Sequence, residues 1–114
     1  MTEQFPQPRE QRMDRAQLVE YVRDSVIRYK ALSMDARIEL QKFLNQEVED
    51  SGISDVHEKF YFMEAKKAAL YFDAGFPGEA IKTVQRIVRD ARDSQYAPFV
   101  SEITKDLQSS FDAM

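Results

Sequence analysis

The sequence predicts an all-α protein: a compact array or bundle of about five helices that contains a tight α-hairpin. Three observations support this class. The 114 residues include only three glycines and four prolines, the residues that interrupt helices most strongly. Apolar residues recur at steps of three and four, and no segment shows the alternation of a strand. With 43% hydrophobic and 32% charged residues, a chain of this length can close one core.

The chain is expected to begin with a flexible arm, residues 1–13, followed by a single helical domain, residues 14–114. The arm combines Gln, Pro, Arg and Glu with one aromatic residue, Phe5, and has no periodic apolar face to bury. It is therefore interpreted either as a frayed terminus or as a partner-binding peptide anchored by Phe5.

The first helix is predicted from about Asp14 to Leu32, because Asp14 is a good N-cap and Gln17 completes a capping box. Ile27 lies opposite its apolar stripe, which consists of Leu18, Val22, Val26, Tyr29 and Leu32. A second helix follows a break at residues 33–35, where Ser33 and Asp35 are potential caps, and Gly52 ends it. Ile38 lies off its apolar face, which is formed by Ala36, Leu40, Phe43 and Leu44.

The third helix is predicted to begin at a Ser54 cap and to run to about Ala74. Its apolar residues cover more than one face, so the helix is either central in the core or partly exposed to a partner. They are Val56, Phe60, Tyr61, Phe62, Met63, Leu70, Tyr71 and Phe72.

The next turn carries the signals of a helical hairpin. Gly75 can adopt the left-handed conformation that closes a helix, and Pro77 fits the first position of a new one. Glu79 places negative charge in the first turn of that helix. Ala68 and Ala80 are small enough to let the two antiparallel helices approach closely.

These residues resemble one tetratricopeptide repeat, a helical hairpin that stacks into peptide-binding superhelices. The family's small, aromatic, glycine, alanine and apolar positions are matched by Ala68, Tyr71, Gly75, Ala80 and Val84. Glu64, Lys67 and Arg92 depart from the aromatic, leucine and proline that the family prefers. The resemblance covers about a third of the chain and implies a protein-binding hairpin.

The fourth helix is predicted over Pro77–Asp93, with Ile81, Val84, Val88 and Ala91 facing inward and Ile87 at the margin. Its other side carries Lys82, Arg86 and Arg89. This basic face is either a stripe for an acidic peptide or a phosphate backbone, or a solvated face paired with Glu79, Asp90 and Asp93. Pro98 can open a last helix to about Phe111, whose apolar residues, Val100, Ile103, Leu107 and Phe111, should cover the hairpin.

Composition and motifs do not favour catalysis. His57 is the only histidine and there is no cysteine, so no zinc motif, no disulfide and no thiol nucleophile is predicted. No Gly-rich phosphate loop or serine elbow is present. We therefore expect no metal, no cofactor and no enzymatic activity.

Charge and hydropathy bear on partners and location. The net charge of −4 makes nucleic acid an unlikely partner for the molecule as a whole. No apolar run exceeds five residues, so no membrane insertion is expected. The absence of cysteine fits a cytoplasmic location.

The predicted function is a non-enzymatic protein-interaction module, an adaptor, chaperone or regulatory subunit that binds a peptide or helix of a partner protein. Its candidate partner-binding residues are Tyr61, Phe72, Phe76, Lys82, Arg86 and Arg89. One alternative is a small dimeric nucleic-acid-associated regulator that uses the basic face. Another is a structural self-assembling unit, a homodimer, in which Ile27 and Ile38 make a symmetric contact.

Overall fold

A computed structural model describes residues 13–114. Five helices run through them: α1 (Arg15–Tyr29), α2 (Met34–Ser51), α3 (Val56–Asp73), α4 (Pro77–Ala91) and α5 (Ala97–Asp112). This part of the chain contains no strand, which confirms the predicted all-α class. None of its helices is long and apolar enough to cross a membrane. Apart from Met13, the predicted arm and its Phe5 anchor lie outside the described residues.

The chain divides into two compact units, one that ends at Phe43 and one that spans Leu44–Met114. The division falls inside α2. The first unit contains α1 and the beginning of α2, and the second contains the end of α2 with α3, α4 and α5. The single domain expected for residues 14–114 stays a prediction.

In the first unit, the α1–α2 connection is held by two serines. Asp14 and Gln17 form the predicted capping box at the start of α1, and Lys30 is its C-cap residue, with φ 63°. The buried Ser25 hydroxyl accepts a hydrogen bond from the Ser33 N–H at 2.8 Å. The Ser33 hydroxyl in turn accepts the Ala36 N–H at 3.2 Å and so caps α2.

The predicted end of the first helix at Leu32 is wrong by three residues. Because α1 ends at Tyr29, the apolar stripe is shorter than expected and Tyr29 is exposed rather than inward. Leu18 and Val22 of the predicted stripe are fully buried.

The second unit begins with a glycine stop and an aspartate cap. Gly52 follows α2 with φ 75°, as a left-handed helix terminus requires. The predicted Ser54 cap of the third helix is wrong, because the cap is Asp55. Its Oδ1 accepts the N–H groups of His57 at 2.8 Å and Glu58 at 3.1 Å.

The α3–α4 turn has the geometry predicted for the hairpin. Gly75 has φ 92°, and its N–H donates to the Phe72 carbonyl at 3.1 Å. The Phe76 N–H donates to the Tyr71 carbonyl at 2.9 Å. This pair of bonds is a Schellman motif, and Pro77 then opens α4.

Helices α3, α4 and α5 pack on one another around two small apolar clusters. The first contains Ala68, Ala80 and Val84, with Leu107 and Phe111 of α5 among the half-buried side chains against it. The second contains Tyr61, Ala65, Ile87, Ala91 and Val100. The small residues at the hairpin contact and the covering role of α5 therefore agree with the sequence prediction.

The inward face of α4 is displaced from the predicted one. Ile87, expected at the margin, is fully buried, whereas Ile81 and Val88 are only partly buried. The cause is that α4 contacts both α3 and α5, so its buried arc is wider than a single stripe. The helix also ends at Ala91, two residues before the predicted Asp93, which has φ 64°.

Candidate partner-binding surface

A buried carboxylate links the two helices of the hairpin. Glu64 of α3 is buried, and its Oε1 lies 2.7 Å from Nη2 of Arg86 on α4. Its Oε2 lies 3.1 Å from Nζ of Lys67, one turn further along α3. A buried charge requires such partners. The departure of Glu64 from the tetratricopeptide pattern thus corresponds to an ion pair between the helices.

Tyr61 lies inside the hairpin rather than on its surface. Only 5% of the residue is exposed, so this predicted partner-binding residue does not offer its ring on the surface. Its hydroxyl donates to Oδ2 of Asp90 at 2.7 Å. This hydrogen bond, together with burial and the negative charge of Asp90, raises the pKa of Tyr61 to about 12.

A third polar contact joins the start of α3 to the start of α5. The Tyr96 hydroxyl donates to Oδ2 of Asp55 at 3.0 Å and lies 3.2 Å from Nδ1 of His57, whose ring stacks on Tyr96 at a centroid distance of 5.1 Å. Because the hydroxyl gives its one proton to Asp55, a hydrogen bond with His57 requires the tautomer that carries hydrogen on Nδ1. The Glu58 N–H bond, and then the Tyr96 bond, hold the pKa of Asp55 below its ordinary value.

This cluster has the residue types of an acid–base site. Within residues 13–114, no group of three or more His, Asp or Glu side chains could hold a metal ion. The Asp55 carboxylate is occupied by the cap of α3 and by Tyr96. The arrangement therefore serves to fix α5 against α3.

The predicted basic face is not a continuous row of free cations. Arg86 pairs with Glu64 of the neighbouring helix, not with Asp90 as the helical spacing indicated, since Asp90 accepts from Tyr61. Lys82 pairs with Glu79 at 3.8 Å, with both side chains exposed.

The remaining predicted residues lie apart in the hairpin. Arg89 is exposed in the last turn of α4. Phe72 is half-buried against Phe111, with ring centroids 5.6 Å apart, and Phe76 is the half-buried N-cap residue of α4. The six candidate residues thus do not form one surface: some lie inside the hairpin or at the contact between its helices, and others are exposed. Their role in partner binding stays a prediction.

Two exposed apolar side chains on α3 were not predicted as candidates. Val56 is 70% exposed and Phe60 is 50% exposed, and they lie one turn apart on the same helix. The Phe60 ring meets Tyr61 edge-on at 5.5 Å. The sequence shows that Val56 and Phe60 are four residues apart. Buried residues of the same helix have the same spacing, so spacing alone does not identify the exposed pair.

The chain was also compared with known proteins. No family model, no curated protein and no solved structure matches it.

Proposed function

We propose that this chain is a non-enzymatic protein-interaction module that binds a peptide or helix of a partner protein, as an adaptor, chaperone or regulatory subunit. The carrying observation is the exposure of Val56 and Phe60 on successive turns of α3. Covering an apolar side chain of this size contributes about 1.5–3 kcal/mol, and aromatic residues commonly anchor interfaces. We call Val56 and Phe60 the α3 patch.

Two further features support this proposal. The hairpin carries the tetratricopeptide-like residues Ala68, Tyr71, Gly75 and Ala80, and proteins of that family bind peptides. The absence of cysteine supports a cytoplasmic location for the interaction.

The test is affinity purification of the full chain from cells that express it, with mass spectrometry of the proteins that co-purify. Val56→Ser combined with Phe60→Ser is expected to lose the partner while keeping its helical circular dichroism and its melt. Ile27→Ser combined with Ile38→Ser is the matched control, since it removes an equally exposed apolar pair elsewhere. Equal partner recovery from the α3 double variant and the wild type would refute the proposal.

Self-association is the second candidate, and it is favoured by the exposed residues of the first unit. Ile27 and Ile38 are 65% and 45% exposed, as expected for residues off the apolar stripes, and Met34 is exposed as well. A symmetric contact could cover them. If they form a dimer contact, the mass in gel filtration is that of a dimer for the wild type and of a monomer for the Ile27→Ser, Ile38→Ser variant.

A further inference from the structure

A groove lies beside the α3 patch, between the last turns of α2 and the first turns of α3. It encloses a volume of about 400 Å³, within the range of pockets that hold small ligands or protruding side chains. Its lining residues are Asn45, Val48, Glu49, Gly52, Ile53 and Lys59. Val48 and Ile53 are half-buried and provide apolar surface.

The groove carries one charge of each sign. Glu49 on α2 and Lys59 on α3 are both exposed, and neither forms an ion pair with another described residue. Nearby, by contrast, Glu47 and Lys66 pair at 3.5 Å. Glu49 and Lys59 are therefore available to charged groups of a partner.

Lys59, the residue of α3 that lines the groove, stands beside the α3 patch on the helix. At about 100° per residue, Val56, Lys59 and Phe60 fall within an arc of about 100°. Val56 and Phe60 are separated by about 6 Å along the helix axis, which is the spacing of successive turns in any partner helix. Ridges formed by residues four apart are the surface on which helices commonly pack.

From this geometry we infer that the groove and the α3 patch together bind an amphipathic helix of a partner protein. That helix carries two apolar side chains one turn apart, an acidic residue that faces Lys59 and a basic residue that faces Glu49. The two opposite charges select the direction in which the helix lies, because the reversed direction would place like charges together. The inference rests on the proposed function and names the chemistry of its partner.

The test uses a phage-displayed library of helical peptides in which two leucines stand four residues apart and the flanking positions vary among Glu, Lys, Ser and Ala. Panned on the full chain, the library is expected to enrich peptides with Glu near one end and Lys near the other. The Kd of the best peptide is then measured by fluorescence polarisation. Lys59→Glu should weaken binding by roughly tenfold or more, since it places like charges together.

A charge exchange provides the specific readout. A peptide in which the enriched Glu is replaced by Lys should bind the Lys59→Glu variant more tightly than it binds the wild type. Lys105→Glu makes the same charge change at an exposed residue of α5, outside the groove and apart from the candidate partner-binding residues, and should leave both affinities unchanged. Circular dichroism of each variant verifies that the fold is kept.

Three results would overturn the inference: no enriched peptide, enrichment without a charge preference, or equal effects of Lys59→Glu and Lys105→Glu. These results are distinct from a failure of the proposed function. If the α3 double variant loses its co-purifying partner while Lys59→Glu and Glu49→Lys retain it, the proposed protein-interaction function is supported. The inference that the groove charges recognise the partner helix is then refuted.

Discussion

Reversing the charge of Arg86 is expected to destabilise the hairpin far more than the same reversal at Lys82 on the same helix. The side chain of Glu64, the partner of Arg86, is 11% exposed, whereas that of Arg86 is 53% exposed. The pair therefore lies between an exposed ion pair, worth about 0–1 kcal/mol, and a buried one, whose disruption costs about 3–5 kcal/mol.

The expected loss of stability depends on the charges that remain near Glu64 after Arg86 is replaced. Lys67 still lies 3.1 Å from its other oxygen, so loss of Arg86 to Ala should cost about 1–2 kcal/mol. Arg86→Glu adds the repulsion of two carboxylates, about 3 kcal/mol at a separation of about 5 Å and an effective dielectric constant of about 20. Since the new side chain can turn toward water, the total is expected at about 2–4 kcal/mol. Lys82→Glu should cost less than about 0.5 kcal/mol.

The assay is urea denaturation followed by far-UV circular dichroism, applied to a double-mutant cycle. Glu64→Gln should recover most of the stability lost in Arg86→Glu, because it removes one of the two repelling charges. The expected coupling is at least about 1 kcal/mol. Equal denaturation midpoints for Arg86→Glu and Lys82→Glu, or an additive cycle, would show that Arg86 is solvated and would refute the reasoning.

Four further substitutions address the hairpin. Ala80→Leu should overpack the fully buried contact with Ala68 and destabilise by about 1–3 kcal/mol; an unchanged urea denaturation midpoint would show that the two helices do not approach closely there. Tyr61→Phe should cost about 0.5–1.5 kcal/mol through the lost bond to Asp90. The folded pKa of Tyr61, about 12, exceeds its unfolded value of about 10. The contribution of its hydroxyl is therefore complete below about pH 10 and is lost as the pH rises to about 12. Over that window the wild type should lose more stability than Tyr61→Phe, and parallel pH profiles would contradict the assignment. Gly75→Ala, at φ 92°, should destabilise by about 1 kcal/mol or more. Gly78→Ala, inside α4 with open space at the Cβ position, should stabilise by about 0.5–1 kcal/mol. If the two alanine substitutions changed the free energy of unfolding in the same direction, the turn geometry at Gly75 would be contradicted.

The sequence by itself determined the class and most helix boundaries of this protein. The capping box at Asp14, the stops at Gly52 and Gly75 and the Pro77 start each depend on residues within one turn of one another. Such local interactions are encoded by spacing alone. The amphipathic stripe of α5 can also be predicted from the sequence alone, because a period of 3.6 residues places side chains on one face whatever that face contacts.

Only the tertiary structure decided which residue meets which across the helices. Glu64 and Arg86 are 22 positions apart, and Tyr61 and Asp90 are 29 apart. Periodicity assigns a residue to a face, but the neighbour above that face depends on how the helices cross. Asp55, which caps α3 in place of the predicted Ser54, also receives the Tyr96 hydroxyl from 41 positions away, and no local spacing indicates that contact.

The tertiary structure also determines which apolar side chains are exposed. Phe60 and Tyr61 are adjacent aromatics on α3, yet Phe60 is half exposed and Tyr61 is buried. Composition cannot distinguish them, because exposure depends on the position of α5, which packs on the Tyr61 side. The free energy of burying an apolar group depends on the area that its neighbours remove from water, and those neighbours are set by the packing of the whole unit.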